Sequence, residues 1–182
     1  LRTHDVVINN SKVTGGALVY REAAGVLVQN ADAVSLLRSE VSYFNHVAVS
    51  FGWVWGFSPR SGRDNRIEFN HVHHVGNHDL SDLGGIYMLG VQPNSTVRGN
   101  IVHDSHPFFM YGHGIYLDEG ASGINVTQNW VYDTFAASWM QHYGVNNTVD
   151  SNVFAKATGH CLTFASGPPI NGTPPPNTSY CP

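Results

Sequence analysis

Charge is scarce in this chain: Asp, Glu, Lys and Arg make up 12% of 182 residues, and 9 basic against 13 acidic residues leave a formal charge of −4. A nucleic-acid backbone needs a basic field, so nucleic acid is excluded as a partner. Long apolar runs are missing too. No stretch approaches the roughly eighteen apolar residues of a membrane span, and no membrane association is expected. The opening, Leu1-Arg2-Thr3-His4-Asp5, has neither the basic region nor the apolar core of a secretory leader. Helix is equally hard to find. The 19 glycines and 9 prolines suit a chain that turns repeatedly, and Ser11 to Asn30 leaves room for one short helical turn at most. The 42% apolar share still excludes disorder and suits one domain.

Cysteine is almost absent. Cys161 and Cys181 form no Cys-x-x-Cys or finger spacing, and a single disulfide closing the C-terminal loop is expected, with two reduced thiols as the alternative. Asn-x-Ser/Thr acceptors occur at Asn9, Asn94, Asn125, Asn146, Asn171 and Asn177. Several arise by chance in an Asn-rich chain, so they support a secreted, glycosylated protein only together with the cysteines. A mature extracellular polypeptide and a piece of a longer chain fit equally well.

What the chain does have is repetition. Gly84-Gly85-Ile86-Tyr87-Met88-Leu89-Gly90 returns as His113-Gly114-Ile115-Tyr116-Leu117-Asp118-Glu119-Gly120, and more weakly as Trp139-Met140-Gln141-His142-Tyr143-Gly144. Each is followed by an extended segment carrying an Asn, which aligns Arg38, Asn70, Asn100, Asn129 and Asn152. Apolar residues stand three before the asparagines (Ile67, Val97, Val126, Val149) and two after them (Val72, Val102, Val131, Phe154). These are positions that alternating strands turn inward, while variable lengths are loops thrown out between strands. Two strand-like segments per unit, repeated head to tail, predict an all-β solenoid, a parallel β-helix of about six coils. An Asn repeated at a bend bonds the backbone and its neighbours above and below. A compact antiparallel sandwich is the alternative and would leave the repeat phase an accident. Residues 1–165 read as the β-helix domain. Residues 166–182, with Pro168, Pro169, Pro174, Pro175 and Pro176, read as a capping tail that cannot continue a hydrogen-bonded ladder.

Periodicity decides which side chains are neighbours, since coils are separated by about 4.8 Å. With Gly52, Gly90, Gly120 and Gly144 as register, Ser50, Met88, Asp118 and His142 form one file, so His142 stands on Asp118 with Glu119 beside it. An apolar corner in one coil has thus acquired two carboxylates in the next, which a solenoid does not need for stability. Asp118 is therefore a candidate acid, base or nucleophile, the bland alternative being a solvated turn. Asp82, in the loop before Gly84, can come within about 5 Å of it, the separation of paired carboxylates in retaining glycosidases, while a diagonal arrangement opens it to the inverting separation. Asp79 reads as a turn former. Asp104 and Asp133 repeat at equivalent sites and suit a structural turn. The expected catalytic set is Asp82, Asp118, Glu119 and His142.

Eleven histidines need a separate reading. His71, His73, His74, His78, His103, His106 and His113 surround long loops, but no His-Glu-x-x-His spacing exists, so no cofactor is expected; a divalent metal near these loops is the minor alternative. His73 and His103 occupy the outward position of one repeat and read as structural or solvent-facing. Aromatic rings supply the platform of a sugar site. Trp53, Trp55, Tyr87, Tyr116 and Trp139, with His113, are the candidate substrate contacts, although each suits core or loop packing equally.

Three phrases, Asn65-Arg66-Ile67-Glu68-Phe69-Asn70-His71-Val72-His73, Asp82 to Gly90, and Gly114 to Ser122, resemble the secreted right-handed parallel β-helix proteins, especially those related to glycoside hydrolase family 141. The resemblance is strongest from Asn65 to Asn152. It implies a right-handed helix acting on polysaccharides or oligosaccharides through two carboxylates, carried onto Asp82 and Asp118 with Glu119 as substitute. The chain is shorter than the usual enzyme of that group. A non-enzymatic structural protein whose solenoid ends self-associate into a glycosylated filament is the runner-up, and a lectin-like carbohydrate-binding module a third reading.

Overall fold

The computed structural model describes residues 2–57, 61–165, 167 and 178–180. Six coils follow one another. The first comprises β1 (His4–Asn9), β2 (Lys12–Thr14) and β3 (Val26–Val28), and the second β4 (Asp32–Leu37), β5 (Glu40–Phe44) and β6 (Val49–Phe51). The third has β7 (Arg66–Glu68), β8 (His71–Val75) and β9 (Leu83–Met88), and the fourth β10 (Val91–Arg98), β11 (Ile101–Ser105) and β12 (Gly112–Leu117). The fifth has β13 (Ser122–Thr127), β14 (Trp130–Thr134) and β15 (Ala137–His142), and the sixth β16 (Thr148–Asp150), β17 (Val153–Ala157) and β18 (His160–Ala165). Equivalent strands pair in parallel from coil to coil, giving three sheets that begin with β1, β2 and β3 respectively. The chain is a right-handed parallel β-helix.

Each coil has three strands, where the sequence suggests two, because the repeated asparagine sits at a sharp bend that divides one extended segment. The residue before it takes a left-handed backbone in every coil: Asn10, Arg38, Phe69, Gly99, Gln128 and Ser151 all have φ between 46° and 63°. Asn70, Asn100, Asn129 and Asn152 then form the expected ladder. The Asn70 side-chain amide and backbone N–H both donate to Asn100 Oδ1, at 3.0 and 2.9 Å. Asn100 repeats this on Asn129, and Asn129 on Asn152. The second coil differs from expectation: Glu40 pairs with His71, so Ser39 rather than Arg38 holds the asparagine position. The Ser39 N–H donates to Asn70 Oδ1, and its hydroxyl accepts from the Ser11 N–H, extending the ladder.

Inside, like stacks on like. Val72, Val102 and Val131 align in one file and Ile67, Val97 and Val126 in another, all fully buried. Each such side chain contributes about 1.5–3 kcal/mol by leaving water. Their last-coil equivalents are less covered: Val149 is exposed and Phe154 only half-buried against the core. The tail departs from expectation as well: β19 (Thr178–Tyr180) pairs antiparallel with β18 and so joins the third sheet. These three residues follow the proline cluster and retain the N–H groups that it lacks. Cys161 is buried in β18. The expected disulfide falls also on Cys181, which lies outside the described residues.

Candidate functional site

The third sheet presents two kinds of file. Val26, Val49, Ile86, Ile115 and Trp139 align and point into the core. One residue on, Leu27, Ser50, Tyr87, Tyr116 and Met140 align on the outer side. Trp139 is thus corrected: it occupies the isoleucine position of its repeat, is 1% exposed, and packs edge-on against Phe164. It offers no surface to a substrate. The register of the corner also needs adjustment. Met88 pairs with Leu117, because the extra residue in the Asp118 coil follows that pair, while Leu117 pairs with Gln141 and so brings His142 onto Asp118 as expected.

Asp118 is buried, and two groups hold its carboxylate. The Tyr87 hydroxyl donates to Oδ2 at 2.5 Å, and His142 Nδ1–H donates to Oδ1 at 2.9 Å. Tyr116, standing edge-on to Tyr87 with centroids 5.2 Å apart, donates to Asp82 Oδ1 at 3.4 Å and also interacts with Asp118. Tyr87 thus holds Asp118 while Tyr116 reaches Asp82. Burial, reinforced by the negative charge of Asp118, pushes the Asp82 carboxyl above its usual range. Burial and the same charge push the hydroxyls of Tyr87 and Tyr116 far up, so both remain donors at any working pH. Glu119 lies beside them and accepts from the Tyr143 hydroxyl at 2.6 Å; burial and Glu119 together raise that phenol as well.

Asp82 owes its position to its backbone. It adopts φ 59° at the end of the loop into β9, and its N–H donates to the Met110 carbonyl of the next coil's loop. His46 Nε2–H reaches its carbonyl from the coil below, at 3.1 Å. Asp79 instead forms an ion pair with Arg21.

Two depressions meet at these acids. One, of about 720 Å³, extends toward the first coils and includes Tyr20, His46, Trp53 and Trp55. The other, of about 290 Å³, extends toward the last coils and includes Tyr111, Met140 and His142. Asp82, Asp118 and Glu119 line both, so they occupy the middle of one groove running along the helix axis. Trp53 and Trp55 are about half exposed and meet edge-to-face at 5.2 Å. Their loop is anchored over the acids, where the Gly56 N–H donates to the Glu119 carbonyl.

His113 requires correction as a substrate contact. It is 3% exposed, stacked on Tyr111 and edge-on to Tyr116, and neither ring nitrogen has a hydrogen-bond partner among the described residues. Burial lowers its pKa to about 4, so it is a neutral ring supporting Tyr116 from behind. His46 and Tyr20 were not legible as groove residues, since both come from loops whose path no repeat specifies. Asn9, Asn94 and Asn125 lie on exposed positions of the first sheet, and exposed Asn146 in the turn before β16. Asn171 and Asn177 fall outside the described residues. Of the remaining loop histidines, His71, His73, His74 and His103 gather on the second sheet, where His73 is buried rather than solvent-facing, while His78 and His106 stand in the loops that lead to the third.

Fold and groove together define a β-solenoid with three acids, Asp82, Asp118 and Glu119, lining a groove on its third sheet. The model of the right-handed β-helix region family matches residues 2–173, and the chain belongs to that family. A search of the curated proteins finds no match. Among solved structures, a protein described as a glycoside hydrolase is similar over 86% of this chain, with 26% identity and a TM-score of 0.69. The match covers 26% of that protein's length.

Proposed function

We propose that the protein is a glycoside hydrolase that binds a polysaccharide or oligosaccharide along the axial groove and cleaves it with Asp82 and Asp118. The observation that carries this reading is the contrast between the two acids around one tyrosine pair. Asp82 has a raised pKa and suits the general acid that protonates the leaving oxygen. Asp118, held by Tyr87 and His142 as an acceptor, suits the nucleophile or the base for water. Proton and electron pair balance: the C–O bond breaks with its electrons on an oxygen that takes the Asp82 proton, while Asp118 attacks the sugar carbon or removes a proton from the attacking water. Glu119 and His142 support the charge distribution, and Trp53 and Trp55 supply a ring surface on one side. Similarity to a glycoside hydrolase supports the substrate class.

Secretion accords with this reading, and glycans at Asn9, Asn94 and Asn125 would lie on the first sheet, leaving the groove on the third sheet free. A panel of xylan, arabinoxylan and fucosylated oligosaccharides tests the activity. Turnover is expected to fall about 10²–10⁴-fold in Asp82→Asn and Asp118→Asn. Absence of turnover across the panel, with sugar still bound, transfers preference to a carbohydrate-binding module; absence of both favours the self-associating structural protein.

A further inference from the structure

On the opposite side of the coil, a file of left-handed residues runs through His74, Asp104 and Asp133, with φ of 53° at each. Asp104 and Asp133 flank His106, and one ligand atom from each of the three lies within 4.8 Å of the others. Asp104 Oδ1 is 3.7 Å from His106 Nε2. Its other oxygen is already oriented: His103 Nδ1–H donates to Oδ2 at 2.6 Å, and His71 Nε2–H donates to His103 Nε2 at 2.7 Å. This relay fixes the tautomers and leaves Oδ1 aimed at His106. Carboxylates that ligate a metal are themselves held by hydrogen bonds from an outer shell, as Asp104 is here by His103.

We propose that Asp104, His106 and Asp133 bind a divalent transition-metal ion such as Zn²⁺, with solvent completing the coordination. Metal–oxygen and metal–nitrogen bonds of about 2.0–2.2 Å require ligand atoms roughly 3–3.5 Å apart, a small closure from the observed spacing that exposed Asp133 supplies by rotating. The ion would hold the root of the loop at 106–111. That loop is stacked on the one carrying Asp82: His78 N–H donates to the His106 carbonyl, and Phe108 N–H to that of Leu80. The rings of His78 and His106 also stack at 5.5 Å. The site is a structural clamp behind one wall of the groove, and it stands whether or not the groove is catalytic.

Calorimetric titration of the chelator-stripped chain with ZnCl₂ tests it. One equivalent is expected to bind and to slow proteolysis within 106–111. Asp133→Asn and His106→Ala should each weaken binding at least about ten-fold, as removing a ligand must exceed the loss seen for an outer-shell partner. His160→Ala, an exposed histidine outside the cluster, should leave it unchanged. CaCl₂ should bind more weakly, because imidazole is a poor ligand for that ion. No saturable Zn²⁺ binding, tighter binding of Ca²⁺, or binding that survives Asp133→Asn but is lost in His71→Ala would overturn the assignment.

Discussion

Asp82 owes its elevated pKa to desolvation of its carboxyl between two loops, although the residue is exposed at the groove surface, and to the negative charge of Asp118, so ionising it opposes folding. A carboxyl whose folded pKa lies above its unfolded value contributes stability that is complete below the unfolded pKa and lost as pH rises through the folded one. Asp82→Asn, which cannot ionise, should therefore gain in melting temperature relative to the wild type as pH climbs from below the ordinary carboxylate pKa to neutrality. A difference that stays constant or shrinks over that range contradicts the assignment. Asp118 was legible in the sequence because its coil repeats the preceding one with an added acid, and His142 followed from the same register. Trp139 was misread at this scale. Aromatic character suggested a sugar platform, but its place in the Ile86–Ile115 file required an inward side chain.

At the scale of the coil, the asparagine ladder and the loops obey different rules. Asn100 accepts from Asn70 and donates to the Ile67 carbonyl and to Asn129, all in the core of the bend. Asn100→Ala orphans several buried groups at once and should cost about 3–5 kcal/mol in urea unfolding, at roughly 1–3 kcal/mol for each unsatisfied group. Asn152→Ala, partly exposed at the end of the ladder, should cost less; equal losses would show that the ladder is not a cooperative element. Such bends were readable because the same residue type recurs at the same phase. The division of each extended segment into two strands was not, because it depends on the left-handed residue before the asparagine, whose identity varies from Asn10 to Phe69 to Gly99. The aromatic loop was no more readable in its path. It crosses over Gly120, where φ is 72° and a Cβ would lie 2.4 Å from Gly56 backbone atoms. Gly120→Ala should displace the Trp53–Trp55 loop while the coils persist, which tryptophan fluorescence and far-UV circular dichroism separate: an altered emission with unchanged β signal is expected, and unchanged emission contradicts the contact.

Across the whole molecule, six coils hold chemically different faces on one rigid stack. The first sheet carries Asn9, Asn94 and Asn125, with Asn146 in the turn leading to it, the second sheet and its edge the histidine and aspartate cluster, and the third the groove. Rigid strands suit catalysis because carboxylates attached near strand ends need little reorganisation. The fold was legible almost throughout, since a solenoid writes its register repeatedly. The groove was legible only where it is built from strands, and its loop-borne walls at Tyr20, His46 and Tyr111 emerge from tertiary packing. The central claim is that Asp118 acts on the bond rather than merely holding the sugar. Parallel measurement of oligosaccharide binding and turnover for the wild type and Asp118→Asn separates these roles. The account predicts retained binding with turnover reduced about 10²–10⁴-fold, and equal turnover by the two proteins would contradict it.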